Sequence, residues 1–246
     1  QALFTQLRDE CAYLTDGIVL ELAGPDSLKQ ALGSTSHHHR WQTAIKQKGE
    51  MAATTVERIR LQTGRTGRVT PVLEITPVEL EGATISNVTA HTAATLAREG
   101  LGVGAKVRIS RAGGVIPTLE AVVVAADTPL EVSACPSCGT PTEVEGEYMV
   151  CPNTAECPAQ VENRLRHWFA TLGNADLFGP VTIRRLVSDG HTDIADVYAL
   201  TRDDFSAMGF GPGQSQNLAD QLDRSRRESI PDWRFLAAFG IRHLGR

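Results

Sequence analysis

Residues 135–160, CPSCGTPTEVEGEYMVCPNTAECPAQ, carry four of the chain's five cysteines in the spacing C-x2-C-x12-C-x5-C. The two-residue gap between Cys135 and Cys138 lets a tight knuckle aim two thiolates at one ion. Cys151 and Cys157 supply the second pair, and EVEGEYMV between them reads as a short β excursion. Four sulfurs at this spacing suit a closed tetrahedral Zn2+ site. With all four positions taken by sulfur, such a site is structural and leaves no room for an activated water. Cys11 stands alone and reads as an incidental thiol.

Composition favours metal over disulfides. The first residues, QALFTQLRDECAYLTDG, show no basic-then-apolar signal segment and read as mid-protein sequence, so the numbering is expected to begin inside a longer chain. Without secretory cues a disulfide framework loses ground. No run of about 18 apolar residues occurs, so no membrane partner is expected. A net charge of −5 and 5% aromatic residues argue against a strongly basic protein and against a base-stacking platform for single strands.

Working outward from the cysteines, the texture changes on both sides. Upstream, TTVERIRLQTG, RVTPVLEITPVEL, ATISNVTAHT, AKVRISRAG and TLEAVVVAA are short alternating or apolar runs punctuated by Gly and Pro. They predict a barrel of about five strands, with AATLAREGLG as its one helix. An oligonucleotide-binding (OB) barrel has this make-up. Its exposed face would carry Arg58, Arg60, Arg65, Arg68, Arg108 and Arg111, partly balanced by acidic residues in the same span.

Downstream, VENRLRHWFATLG places Val161, Leu165 and Trp168 at helical spacing. SAMGFGPGQSQNLADQLDRSRR puts Gly209, Gly211 and Gly213 directly before a helix with Leu218 and Leu222 on one face. LAAFGIRHLGR repeats the idea with Gly240, Arg242 and Gly245, and ADLFGPVTIRRLVSDG is a weaker copy. One such turn is an ordinary helix cap. Several in series predict helix-hairpin-helix units whose bare amides cradle DNA phosphates. At the front, YLTDGIVLEL is strand-like, and three consecutive histidines, His37 to His39, sit in a polar loop where neighbours cannot easily converge on one ion.

The order of these units and the words inside them resemble bacterial NAD-dependent DNA ligases. YLTDGIVLEL is similar to the family's nucleotidyltransferase motif IV, D-G-V-V-I-K, and RWQTAIKQKGE to motif V, R-W-A-x-x-x-K-F-P-A-E. GRTGRVTPVLEITPVELEG resembles the opening of the family's OB domain, RAGGVIP its R-A-G-D-V-I-P, and CPAQ and GIRHLG also fit. The resemblance implies a multi-domain α+β protein: the end of a nucleotidyltransferase domain in 1–52, an OB fold in 53–130, the four-cysteine zinc finger in 131–160 and an incomplete helix-hairpin-helix domain in 161–246.

It further implies a ligase that seals 5′-phosphate/3′-OH nicks in duplex DNA through lysyl-AMP and DNA-adenylate, using NAD, Mg2+ and a structural Zn2+. Such a protein would act as a monomer on nicked double-stranded DNA in the cytoplasm, associated with the nucleoid. Lys46 matches the motif V lysine that contacts the AMP phosphate, whereas Glu21 stands where motif IV has a lysine. Lys48 and Gly49 replace Pro-Ala, and Gly114 replaces the Asp of A-G-D-V-I-P. The nucleophilic K-x-D-G motif is absent, as are the family's N-terminal NAD-recognition domain and C-terminal BRCT module. A catalytically degenerate paralogue that clamps nicked duplex without sealing it is the alternative.

Overall fold

The computed structural model describes residues 17–35, 38–46, 50–80, 82–90, 92–112 and 116–241. Cys11, His37, Lys48, Gly49, Gly114, Arg242 and Gly245 lie outside them. The architecture is α+β, and the barrel and the helical block each have their own buried core.

At the front, β1 (Gly17–Glu21) pairs antiparallel with β2 (Gln42–Lys46), Gly17 facing Lys46 and Glu21 facing Gln42. The link between them holds α1 (Asp26–Leu32), which Pro25 opens with an extended backbone. His38 and His39 hold the returning turn through Thr35 Oγ1 (3.1 Å) and Ser34 Oγ (2.6 Å). His39 also stacks on Trp41.

Five strands then close into a barrel in the order β3 (Met51–Thr63), β4 (Val69–Leu80), β5 (Ala83–Thr89), β7 (Ile116–Val124), β6 (Lys106–Ala112), with β6 returning to β3. All pairs are antiparallel except the β5–β7 closure at Thr89 and Thr118. The alternation in TTVERIRLQT changes phase midway, for a structural reason. A bulge at Glu57 shifts the register between Val56 and Arg58. Thr54 and Val56 point inward before it, and Ile59, Leu61 and Thr63 pack inward after it. A second shift in β4, between Glu74 and Val78, bends that strand in the same way.

The helix expected in AATLAREGLG is only a single 3-10 turn, Ala93–Thr95, followed by further turns. Leu96 and Leu101 are fully buried and plug the barrel. Gly100 (φ 73°) and Gly102 abut Ala125, Ala126 and the Thr128 carbonyl so closely that a side chain at either would collide. Burying both leucines against that wall outweighs the helical tendency of the segment.

Beyond the β8 (Glu143–Glu145) and β9 (Tyr148–Val150) hairpin, the described residues form six helices: α2 (Pro158–Leu172), α3 (Pro180–Ser188), α4 (Ile194–Ala199), α5 (Arg202–Ala207), α6 (Pro212–Arg227) and α7 (Asp232–Ala238). Pro158 at the first helical position and left-handed Gly173 beyond the last delimit α2. Val161, Leu165, Trp168, Phe169 and Leu172 form its buried stripe. Phe169 stacks on Phe178 at 4.2 Å, and Trp168 meets Phe239 edge-on at 5.0 Å.

A capping box starts α5. Asp204 Oδ2 accepts from the Thr201 amide (2.8 Å) and hydroxyl (2.6 Å), while the Asp204 amide donates to Thr201 Oγ1. Hydrogen bonding to Thr201 holds the Asp204 carboxyl below its ordinary range. Its contribution is therefore present above the ordinary carboxylate pKa and fades as pH falls through the lowered one. Thr201→Ala is expected to cost about 1 kcal/mol of stability in urea titrations at neutral pH.

Candidate metal centre and nucleic-acid interface

The four sulfurs of Cys135, Cys138, Cys151 and Cys157 lie within 4.8 Å of one another. Cys135 to Cys157 is 3.8 Å and Cys138 to Cys151 is 3.5 Å, with all four cysteines free. A tetrahedron with Zn–S bonds of about 2.3 Å has edges of about 3.8 Å. The donor set and its spacing therefore fit a tetrahedral Zn2+.

The knuckle forms because the Gly139 amide bonds Cys135 O (2.9 Å) and Gly139 takes φ 72°, where a side chain is strained. Cys151 follows β9, and Cys157 is the residue before α2. Hydrogen bonding with Thr140, first through its side chain, lowers the Cys138 thiol to about 6, whereas burial raises Cys151 to about 12. Among the described residues this is the one cluster of three or more His, Cys, Asp or Glu groups that could hold a metal. The described residues thus show no carboxylate cage for Mg2+, an ion that commonly enters phosphate chemistry with its waters and the substrate phosphates.

The cluster is built onto the barrel. Gly67, in the β3–β4 turn, takes φ 81° and accepts at its carbonyl from the Cys151 amide (2.9 Å). A Cβ on Gly67 would lie 2.5 Å from Cys151 O. Gln160 of α2, buried, donates to the carbonyls of Cys151 and Asn153, both at 3.0 Å.

Two of the arginines expected to meet DNA also contact the protein itself. Arg65 Nη1 donates to Gly240 O at 2.7 Å, and the Arg68 guanidinium lies 3.9 Å over the Tyr148 ring. Gly240 takes φ 67°, and a side chain there would run into that same Arg65 guanidinium. Arg58 and Arg60 are paired with Glu74. Arg108 is exposed on β6, and Arg111 is half-buried. Arg65→Ala is accordingly expected to destabilise the helical block by roughly 1.5 kcal/mol in denaturant titrations.

The helical block contains a structural repeat. Phe178-Gly179-Pro180 and Phe210-Gly211-Pro212 open α3 and α6 in the same way: a buried Phe, an extended Gly cap, then Pro as first helical residue. Six residues past each Pro comes a fully buried leucine, Leu186 or Leu218. The shared F-G-P was the signal available in the sequence. Gly209 takes φ 80° beside the Arg185 guanidinium, which covers the Phe210 ring at 4.5 Å. Gly211 and Gly213 are exposed, with open space where a Cβ would stand. The first-turn amides of each helix have no intrahelical partner and carry the positive end of the helix dipole.

At the front, Lys46 ends β2 opposite Gly17, at the other end of the ribbon from Glu21. The Glu21 carboxylate is ion-paired with Lys29 and accepts from Gln42 Nε2 (3.3 Å). Its hydrogen bond with Lys29, then that with Gln42, lowers its pKa. Lys29 Nζ also lies 4.7 Å over Trp41. A carboxylate at position 21 does not fit a phosphate contact.

Closed five-strand barrel, four-thiol cluster and a helical block with paired glycine-capped helices together define an α+β protein of the OB-fold type. Residues 53–131 match the family model of the NAD-dependent DNA ligase OB-fold domain. The chain is 50% identical over 233 residues to a DNA ligase of Desulfatibacillum aliphaticivorans, covering 95% of this chain and 37% of that protein. It is 48% identical over 235 residues to a DNA ligase of Desulfotalea psychrophila (95% and 34%) and 37% identical over 246 residues to one of Haloarcula marismortui (98% and 35%). The chain spans about a third of the length of the curated relatives it matches. It belongs to the NAD-dependent DNA ligase family, as part of such a protein. No described helix is long and apolar enough to cross a membrane.

Proposed function

We propose that this chain is the DNA-gripping part of an enzyme that seals 5′-phosphate/3′-OH nicks in duplex DNA at the expense of NAD, through lysyl-AMP and DNA-adenylate. The observation that carries the reading is the pair of F-G-P helix starts, Gly179 and Gly211, in one block with the barrel and the cysteine cluster. Their amides suit the phosphates of a continuous backbone, so duplex is recognised by shape and charge and not by base sequence. Arg108 adds charge from the barrel face.

In this reading residues 1–52 finish the nucleotidyltransferase domain, 53–130 form the OB fold, 131–160 the zinc finger and 161–246 the hairpin domain. Cys135, Cys138, Cys151 and Cys157 hold one Zn2+, which supplies folding energy and no chemistry. Lys46 is assigned to the AMP phosphate. The nucleophilic lysine belongs to sequence beyond this chain. The protein acts as a monomer on nicked duplex in the cytoplasm, associated with the nucleoid.

The Glu21–Lys29 pair favours a second reading, a paralogue that clamps nicks without sealing them, because it puts a carboxylate where a ligase needs a cation. Incubating the longer parent protein with labelled NAD and nicked duplex separates the two. Adenylated protein and sealed product support the ligase. Tight nick binding with neither supports the clamp, and preference for single strands sinks both.

A further inference from the structure

Thr63 is the last residue of β3 and is almost wholly buried. Its hydroxyl oxygen lies 3.2 Å from Cys135 Sγ, seventy-two residues further along the chain. Its carbonyl accepts from Asn163 Nδ2 of α2 at 3.1 Å. One barrel residue therefore touches both the cysteine cluster and the helical block. Four residues on, Gly67 bonds the Cys151 amide through its carbonyl and leaves no room for a side chain.

A metal-bound thiolate has lost its proton and can only accept. Facing such a sulfur, the Thr63 hydroxyl must be the donor, and its burial leaves water no competing place. Hydrogen bonds of this kind lower the energy of the sulfur lone pairs, fix their direction and favour the deprotonated ligand that holds the ion.

We propose that the barrel completes the metal centre: Thr63 is a positioning residue whose hydroxyl donates to the Cys135 sulfur, so that the bound ion fastens barrel to helical block. The inference rests on the reading of the cluster as a Zn2+ site. It adds a residue outside the cysteine segment, and it makes metal retention depend on barrel integrity.

The test uses the zinc-loaded protein and two substitutions. Thr63→Val removes the hydroxyl at nearly constant volume, and Thr63→Ser keeps it. Competition with a chromophoric chelator is expected to show Zn2+ held roughly tenfold more weakly by Thr63→Val, with Thr63→Ser within about threefold of the parent. In Co2+-substituted protein the sulfur-to-metal charge-transfer band should move to longer wavelength in Thr63→Val and stay in place in Thr63→Ser. A general packing defect would not move that band.

Equal Zn2+ affinity and an unmoved band in Thr63→Val overturn the proposal, as does Thr63→Ser behaving like Thr63→Val. Should Thr63→Val fail to fold, the parent loaded with 113Cd decides by NMR. A slowly exchanging Thr63 hydroxyl proton coupled to the cadmium supports the bond, and absence of that coupling overturns it. A parent that holds no zinc at all defeats the underlying reading, and a parent that holds zinc while indifferent to Thr63 defeats this one alone.

Discussion

Stripping Zn2+ from the protein with a strong chelator is expected to unfold residues 131–160 and to loosen the barrel from the helical block. The cysteine unit has almost no apolar core of its own. Its buried members are Cys135, Cys151 and Cys157, with Cys138 and Ala159 packed against them. A segment of this size cannot offset its backbone entropy without a staple. Binding of Zn2+ to four thiolates supplies roughly 10–16 kcal/mol in comparable small sites near neutral pH, far beyond any other single interaction here.

The expected readings are one equivalent of zinc in the purified protein and new protease cleavages confined to the cysteine segment after chelation. The midpoint of the helical block should fall as well, because Gly67 and Gln160 lose the Cys151 backbone they hold and Thr63 loses the Cys135 sulfur. Cys151→Ala should show the new cleavages and the lowered midpoint without any chelator, and should hold less than one equivalent of zinc. A protease pattern unchanged by chelation, or Cys135 and Cys138 found in a disulfide, would count decisively against a structural metal.

The cysteine cluster was legible because four identical ligands at short spacing leave few arrangements. The α2 stripe from Val161 to Leu172 was legible because one face of one helix decides burial there. What failed to show in the sequence depends on distant partners. The phase change at Glu57 exists because β3 must pair with β6 at one end and β4 at the other, and a bulge lets one strand serve both. AATLAREGLG has helical composition, yet Gly100 and Gly102 must pass against Ala125, Ala126 and Thr128.

The protein contacts of the arginines were hidden for a related reason. A guanidinium looks the same in sequence whether it meets a phosphate or a carbonyl. Arg65 bonds a residue 175 positions away, and no local pattern announces that. Thr63 and Asn163 were invisible on the same ground. Glu21 was seen as a charge in the wrong place, but its partner Lys29, eight residues on and packed over Trp41, needed the folded link to appear.

The double variant Gly211→Val, Gly213→Val is expected to fold as the parent does and to bind nicked duplex roughly 100-fold more weakly. Folding is spared for three reasons: Gly211 takes φ −64°, which any residue adopts; Gly213 lies inside α6; and neither has an atom within 4 Å of the added Cβ. Gly209 would be the wrong choice, since φ 80° and the Arg185 guanidinium penalise any side chain there. On the proposed reading, what the valines remove is close approach of a phosphate to the first-turn amides of α6. Each hydrogen bond to a charged oxygen is worth about 1.5–3 kcal/mol, so losing two gives the stated factor at its lower end.

The salt dependence separates this effect from a change in charge. Amides release no counterions, so the slope of log K against log salt should stay near the parent's in the double variant. Arg108→Ala should instead flatten it by about 0.9 for each phosphate that is no longer neutralised. Titrations of nicked duplex at several salt concentrations, with circular dichroism as the control for folding, give both numbers. Parent-like affinity in a folded double variant would show that α6 does not face the phosphates. The F-G-P starts would then be helix caps and nothing more.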